Sequence, residues 1–203
     1  MREKHHLLIR LTHWFNVPVL LLMIWSGLLI YWANDVYIKI PEDIGPFQIH
    51  HRLAEGMAWH FFLMWLLVIN GLVYIGSLFL TGEIRELLPY RGIIRDSIHY
   101  TLYDLHLSKR QPELRGKFNP AQRLGYFSAL LMVIGSIVTG LVIYKPVQLH
   151  LLATLLGGYK AARFEHFLCM TGISFFILIH LIQVARAGWN NFRAMVAGYE
   201  VER

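Results

Sequence analysis

The sequence predicts an all-α integral membrane protein whose four transmembrane helices form one bundle. The chain contains four stretches without Asp, Glu, Lys or Arg, and each is long enough to cross a bilayer as a helix. The composition agrees, because 56% of the 203 residues are hydrophobic and the mean hydropathy is +0.44. We therefore expect a single membrane domain over residues 1–203. The uncharged stretches cover residues 11–34, 56–82, 124–144 and 166–185, and the spans are predicted at about 8–33, 56–80, 121–144 and 164–187.

The basic residues give these spans a direction. Four spans put the N-terminus, the loop between the second and third spans and the C-terminus on one side, and that side holds fourteen of the nineteen Lys and Arg residues. Because cytoplasmic loops carry the excess of Lys and Arg, both termini are predicted to be cytoplasmic. The net charge of +6 is accounted for by these loops and indicates no nucleic-acid partner.

Two shorter segments between the spans are predicted to be interfacial helices. Residues 92–107, on the cytoplasmic side, carry apolar residues along one helical face. Residues 147–156, on the outer side, are mostly apolar but too few to span a bilayer. The apolar face of the first segment consists of Ile94, Ile98, Leu102 and Leu105.

Histidines occur in three of the four spans. His166 and His180 are fourteen residues apart in the fourth span. This spacing is about four helical turns and roughly 21 Å of rise, so both imidazoles point to one face near opposite edges of the hydrocarbon. His13 lies near the cytoplasmic edge of the first span, and His60 lies near the outer edge of the second. Histidines are expensive inside a membrane and usually mark a functional site.

The four histidines match in depth as two pairs. His13 and His180 lie near the cytoplasmic edge, whereas His60 and His166 lie near the outer edge. We interpret them as the iron ligands of two haem sites, each held by two imidazoles, with the pairings His13–His180 and His60–His166. The alternative is that these histidines form hydrogen bonds with neighbouring helices.

The single cysteine, Cys169, limits the type of cofactor. A c-type haem needs a Cys-x-x-Cys-His attachment and an iron–sulfur cluster needs several thiolates, so this chain predicts a b-type haem bound without a covalent link. His50 and His51 precede the second span and are expected at the surface or in contact with a partner rather than on iron.

Two glycines lie on the same helical faces as the histidines. Gly27 follows His13 by fourteen residues, and Gly71 follows His60 by eleven. The missing side chain would let a flat macrocycle approach the backbone. Close packing between helices is the alternative for both glycines.

Three arginines are candidate partners of the haem propionates, because a guanidinium group suits a carboxylate. They are Arg10, Arg123 and Arg163. For Arg10 and Arg123 the alternative is a flanking charge that follows the positive-inside rule, and for Arg163 it is an ordinary charge at a helix end.

An internal repeat links the first and third spans. Residues 10–13 (Arg-Leu-Thr-His) are followed, seventeen residues after Arg10, by Gly-Leu-Leu-Ile-Tyr at 27–31. Residues 123–126 (Arg-Leu-Gly-Tyr) are followed at the same offset by Gly-Leu-Val-Ile-Tyr at 140–144. The pattern is typical of a duplicated two-helix unit in which Tyr126 replaces the histidine of the first span.

These motifs carry a resemblance to a known family. The sequence Arg-Leu-x-His-Trp at 10–14, His60 in the second span, and His166 and His180 in the fourth resemble the di-haem cytochrome b subunits of Ni–Fe hydrogenases and formate dehydrogenases, within the bacterial cytochrome b561 type. The similarity covers residues 7–187, and residues 117–192 also resemble the cytochrome b subunits of thiosulfate reductases and molybdopterin-dependent oxidoreductases.

The resemblance implies an electron-transfer subunit. Such proteins are multi-pass proteins of the bacterial or archaeal cytoplasmic membrane, and they carry electrons through two b-type haems between the quinone pool and a partner outside the membrane. The implied partner is an external redox subunit such as a molybdopterin oxidoreductase or a hydrogenase, besides membrane lipid and quinone.

A quinone is expected to react beside the inner haem, between the start of the third span and the end of the fourth. A quinone headgroup needs hydrogen-bond partners at its carbonyls, and Asn119, Arg123 and Gln183 are polar groups at this depth. His106 would donate a proton if the surface helix folds back. The resembling formate dehydrogenase subunits place their quinone site at this end, which is an analogy. Simple helix capping by Asn119, before Pro120, is the alternative.

Two other functions remain open from the sequence. One is a self-contained cytochrome b that oxidises or reduces a small species with quinone, and the other is a haem-free transporter or anchor whose histidines relay protons. The outer loops at 35–55 and 145–162 favour a docking partner over the self-contained cytochrome.

Overall fold

Most of the chain is helical in the computed structural model, which describes residues 2–3, 5–33, 52–109, 112 and 116–200. Four helices are long and apolar enough to cross a membrane, which confirms the predicted all-α class with four candidate spans. His50 and His51 and most of the loop at 35–55 lie outside the described residues. The elements in chain order are β1 (Arg2–Glu3), α1 (Leu7–Trp32), α2 (Leu53–Thr81), α3 (Ile84–Leu87), α4 (Ile93–Asp104), α5 (Pro120–Tyr144), α6 (His150–Leu155), α7 (Tyr159–Ala197) and β2 (Tyr199–Glu200).

Large apolar side chains on the long helices are exposed. Leu72 on α2 is 66% exposed and Phe175 on α7 is 63% exposed. In water, each large apolar side chain left exposed would lose about 1.5–3 kcal/mol of the free energy that burial provides. Lipid chains remove this cost, so the exposure agrees with helices that span a bilayer.

Local sequence explains where α5 and the fourth span are bounded. Asn119 and Gln122 form a capping box at the start of α5, with Pro120 at the first helical position. Inside α7 the backbone is non-helical at Gly188, where φ is 79° and ψ is 176°. Glycine adopts a positive φ without steric cost, and this break falls one residue beyond the predicted end of the fourth span.

The chain divides into two compact units, Met1–Ser77 with Ala187–Arg203, and Leu78–Arg186. The first unit holds α1 and most of α2, and the second holds α5 and most of α7. The predicted duplication of a two-helix unit stays a prediction.

The two ends of the chain meet within the first unit. Strands β1 and β2 pair antiparallel, with Arg2 opposite Glu200. Arg10 donates a hydrogen bond to the carbonyl oxygen of Val196, and Nε1 of Trp14 donates to the carbonyl oxygen of Met195 at 3.0 Å. Residues 2–3 and 199–200 therefore lie side by side in this unit, as expected for an even number of spans.

In the second unit the two predicted short helices are present. The segment predicted at 92–107 forms α4, which packs against α5. Its buried residues are Ile93 and Ser97, while its predicted apolar face is exposed, from 66% at Ile94 to 40% at Leu102. An exposed apolar face suits a helix at a membrane surface, and that location stays a prediction.

The segment predicted at 147–156 contains α6. Its Ala153 is buried in a small cluster with Val142 of α5 and Ala162 of α7. Val147 and Leu155, on either side of this contact, are both more than four-fifths exposed. The helix is confirmed, and its place at the membrane interface stays a prediction.

Candidate functional site

His60 lies against α1 in the first unit. The Nδ1 atom of its ring is 3.0 Å from Oγ of Ser26. A Cβ atom placed on Gly27 would lie 3.5 Å from Cε1 of the same ring. Ser26 is fully buried, so water does not compete for this hydrogen bond. Gly27, which we expected beside a macrocycle, therefore borders the imidazole of His60, and its contact with haem stays a prediction.

The close approach of α1 and α2 at this point depends on Gly56, one helical turn before His60. A Cβ atom on Gly56 would lie 2.8 Å from Cβ of Leu29 and 3.1 Å from the carbonyl oxygen of Ser26. These helices touch because the side chain is absent. The sequence did not indicate Gly56, because its contact with α1 produces no recognisable residue spacing along α2.

An ion pair marks the start of α2. Nε of Arg52 lies 2.7 Å from Oε2 of Glu55, and the guanidinium group lies 5.7 Å from the ring centroid of Trp25 on α1. The hydrogen bond with Glu55 raises the pKa of Arg52 above its ordinary value. Arg52 therefore stays charged where the helix begins.

His166 repeats this arrangement in the second unit. Its Nδ1 atom is 3.0 Å from Oγ1 of Thr139 on α5. A Cβ atom placed on Gly140 would lie 3.2 Å from Cε1 of the His166 ring, which is a tight contact. Thr139 is buried like Ser26. Each of the two helix pairs thus presents a hydroxyl residue followed by glycine to one imidazole.

The sequence contained a signal for this arrangement. Ser26-Gly27 and Thr139-Gly140 are 113 residues apart, which is also the distance between Arg10 and Arg123 in the predicted repeat. In both copies of the repeat, a small hydroxyl residue directly precedes the glycine. His60 and His166 are each the eighth residue of their helices, α2 and α7.

His180 is surrounded differently, by aromatic rings of the second unit. Its ring is stacked on Phe176 with the centroids 5.7 Å apart and an interplanar angle of 14°. Tyr126 of α5 meets it edge-on at 6.1 Å, and Phe118 meets Tyr126 at 5.1 Å. Tyr126, which stands at the repeat position of His13, therefore contributes a wall beside His180.

His13 lies where a buried amide joins α1 to α2. Nδ2 of Asn70 donates to the carbonyl oxygen of Thr12 at 3.0 Å and lies 3.4 Å from Oδ1 of Asn16. The ring of His13 meets Trp14 edge-on at 5.4 Å. On the same helix as Asn70, a Cβ atom at Gly71 would meet nothing within 4 Å. Helix packing does not explain Gly71 in the described structure, and its contact with haem stays a prediction.

The three arginines proposed for the propionates have other contacts. Arg10 binds the carbonyl of Val196, as described above, and Arg163 lies 5.9 Å from the ring centroid of Tyr159. Arg123 donates from Nε to the carbonyl oxygen of Leu88 at 2.7 Å and from a terminal nitrogen to the carbonyl oxygen of Arg85. Arg123 thereby holds the turn around α3 onto α5, and the role of all three in binding propionates stays a prediction.

The residues proposed for quinone are spread along α4, α5 and α7. Oδ1 of Asn119 accepts from the backbone N–H of Gln122 at 2.8 Å, so the capping alternative is confirmed. Gln183 is exposed on α7. His106 is exposed after α4, at a φ of 60° that is rare for a residue other than glycine. Among the described hydrogen bonds and ring contacts, none joins Asn119 or Arg123 to Gln183 or His106, and the quinone site stays a prediction.

His60 and His166 fit the requirements of axial haem ligands. A ligating histidine generally donates its second ring N–H to an oxygen acceptor, which fixes the orientation of the ring. The buried hydroxyls of Ser26 and Thr139 are such acceptors, and the glycine next to each leaves room for the ring. The predicted pairings join residues of different units and stay predictions.

The comparison with known proteins decides the family. The model of the family described as prokaryotic cytochrome b561 matches residues 4–198, nearly the whole chain. The chain belongs to the prokaryotic cytochrome b561 family. This membership confirms the resemblance carried by the histidine motifs, and it implies a b-type haem. With its four candidate spans, this member of the family is a multi-pass prokaryotic membrane protein.

One curated relative is similar over most of its length. It is described as the putative protein-methionine-sulfoxide reductase subunit YedZ1 of Azospira oryzae. The two sequences are 34% identical over 181 residues, which cover 87% of each chain. No solved structure matches the chain.

Proposed function

We propose that this cytochrome b561 family member is the membrane electron-transfer subunit of a redox complex. His13–His180 and His60–His166 would hold two b-type haems, which would supply the one-electron couples for electron transfer across the bilayer between the quinone pool and an external redox enzyme. The observation that carries the proposal is the repeated anchoring of His60 by Ser26 and of His166 by Thr139, each at 3.0 Å. A repeated arrangement of this kind, at the same position of two helices, suits two ligands of one iron.

The proposed chemistry is one-electron transfer. A b-type haem with two imidazole ligands supplies a reversible one-electron couple and leaves no coordination position open for a substrate. The protein's own contribution is to hold the imidazoles rigidly and to exclude water around them. Buried Ser26, Thr139 and Asn70 do this by fixing α1 to α2 and α5 to α7 beside the histidines.

We place the partner on the outer side of the cytoplasmic membrane. The relative in Azospira oryzae is named as a putative protein-methionine-sulfoxide reductase subunit. Residues 117–192 of this chain also resemble the cytochrome b subunits of molybdopterin-dependent oxidoreductases. The strand pairing that joins both ends of the chain supports termini on a single side, which the basic residues assign to the cytoplasm. The loop at 145–162, with α6, then faces the partner on the other side.

Purification from native membranes tests the proposal. We expect a b-type visible spectrum, two haems per chain and a catalytic protein that purifies with it. A colourless chain would favour the haem-free transporter. A haem-containing chain that is fully active with quinone by itself would favour the self-contained cytochrome.

We also propose that quinone reacts beside the inner haem, near Asn119 and Arg123. Asn119→Leu is expected to slow reoxidation of the haems by a quinone analogue about tenfold or more. The variant removes the proposed hydrogen bond from the Asn119 side chain to a carbonyl of the quinone, and a tenfold change in rate corresponds to about 1.4 kcal/mol. Stopped-flow absorbance of the reduced protein measures this rate, and reduction by an external donor should be unchanged.

The capping box provides the control for this experiment. Asn119→Ser keeps a side-chain oxygen that can cap α5 but removes the amide, whereas Asn119→Leu removes both. If only Asn119→Leu is slow, the effect comes from the helix cap and the proposed contact with quinone is wrong. If both variants are slow, the amide itself acts on quinone.

A further inference from the structure

Two buried hydroxyls make the same pair of hydrogen bonds in the two units. Oγ of Ser26 lies 3.0 Å from the carbonyl oxygen of Met23 and 3.0 Å from Nδ1 of His60. Oγ1 of Thr139 lies 2.7 Å from the carbonyl oxygen of Gly135 and 3.0 Å from Nδ1 of His166. In each case the hydroxyl lies near a carbonyl of its own helix and near an imidazole of another helix. Oγ1 of Thr139 also lies 3.3 Å from the carbonyl oxygen of Ser136.

The number of protons decides the direction of these bonds. A hydroxyl has one proton and a carbonyl oxygen can only accept, so both contacts are satisfied when Ser26 donates to Met23 and Thr139 donates to Gly135. Each hydroxyl oxygen then accepts from Nδ1–H of its imidazole. The proton of both rings is therefore on Nδ1, and the lone pair is on Nε2.

We propose that Ser26 and Thr139 are positioning residues that set the tautomer of His60 and His166. Through these two imidazoles they lower the reduction potential of the haem that His60 and His166 hold. An acceptor at Nδ1–H makes an imidazole more basic and a stronger electron donor. Stronger donation stabilises the oxidised iron more than the reduced iron, so the potential falls. Because both ligands of one haem would carry such an acceptor, the two effects act in the same direction. This inference rests on the proposed function, in which His60 and His166 bind one haem.

A merely structural role would predict something different. Hydroxyls that bond back to their own helix are common in this chain, for example Thr171 to Phe167 at 2.9 Å and Ser174 to Met170 at 2.9 Å. Those residues provide matched controls on α7. What distinguishes Ser26 and Thr139 is the second bond, to an imidazole.

The test is a redox titration of the purified holoprotein carrying Ser26→Ala, Thr139→Val or both, followed by optical and electron paramagnetic resonance spectra. We expect both haems to be retained. The midpoint potential of one haem should rise in each variant and rise further in the double variant, with altered g-values for that haem alone. Thr171→Val and Ser174→Ala should leave both potentials unchanged.

Variants that retain the hydroxyl provide a second test in case Ser26→Ala or Thr139→Val loses haem. Ser26→Thr and Thr139→Ser retain the hydroxyl and should keep a potential close to that of the unaltered protein. The inference is overturned if Ser26→Ala and Thr139→Val leave both potentials and g-values unchanged. It is also overturned if the hydroxyl-retaining variants lose haem to the same extent. Failure of the proposed function would look different, since the unaltered protein would bind no haem, or His60→Ala would keep both haems.

Discussion

Replacing His60 by alanine is expected to reduce the haem content from two b-type haems per chain to one. The ring of His60 is held by Ser26 and bordered by Gly27, and no other imidazole is described at this place on α2. The haem proposed to lie between His13 and His180 should remain, because neither of these residues is altered in the variant. Haem extraction and quantification per chain, together with the reduced visible spectrum, measures this outcome.

His150→Ala is the matched control for this prediction. His150 is exposed at the start of α6, so its removal should leave two haems. Retention of both haems in the His60 variant would contradict the ligand assignment. So would a loss of haem on replacing His50 or His51, which would move the ligand to the segment before α2.

Gly56→Ala is expected to lower the thermal stability of the holoprotein and to weaken haem binding at His60. The added Cβ would lie 2.8 Å from Cβ of Leu29, and the backbone carbonyl of Ser26, at 3.1 Å, cannot move without shifting α1. Overpacking of this kind typically costs about 1–3 kcal/mol. Separation of the helices would also lengthen the bond between Ser26 and His60. The Tm followed by haem absorbance, and the haem content after washing in detergent, measure both effects.

Gly76→Ala on the same helix tests whether the effect is local. A Cβ atom at Gly76 would meet nothing within 4 Å, so this variant should match the unaltered protein. Equal losses in both variants would indicate a general intolerance of α2 to alanine. The close contact at Gly56 would then not be the reason.

Properties that depend on one segment alone were predictable from the sequence. Long stretches without charged residues predicted α1, α2, α5 and α7, because transferring a charged side chain into the hydrocarbon of a bilayer costs free energy. The capping box of α5 was recognisable because Asn119 and Pro120 are adjacent in the chain. The short helices α4 and α6 followed from local patterns in the same way.

Contacts between helices were less predictable. Arg123 was expected near a propionate, near quinone or as a flanking charge, and the structure adds its hydrogen bonds to the carbonyls of Leu88 and Arg85. Backbone carbonyls are present at every residue, so no pattern in the sequence indicates which of them a guanidinium group will reach. Gly27 was expected beside a macrocycle on the helical face of His13, and in the structure it borders the imidazole of His60 on another helix.

By itself the sequence determined the number of long helices, their approximate ends and the family to which these features belong. Hydropathy and spacing along one helix decide these properties, since the rise per residue is fixed. Only the tertiary structure decided that Ser26 and Thr139 hold the two imidazoles and that Gly56 lets α1 and α2 touch. Those contacts depend on how each helix is rotated and how closely its neighbour approaches, and packing between side chains fixes both.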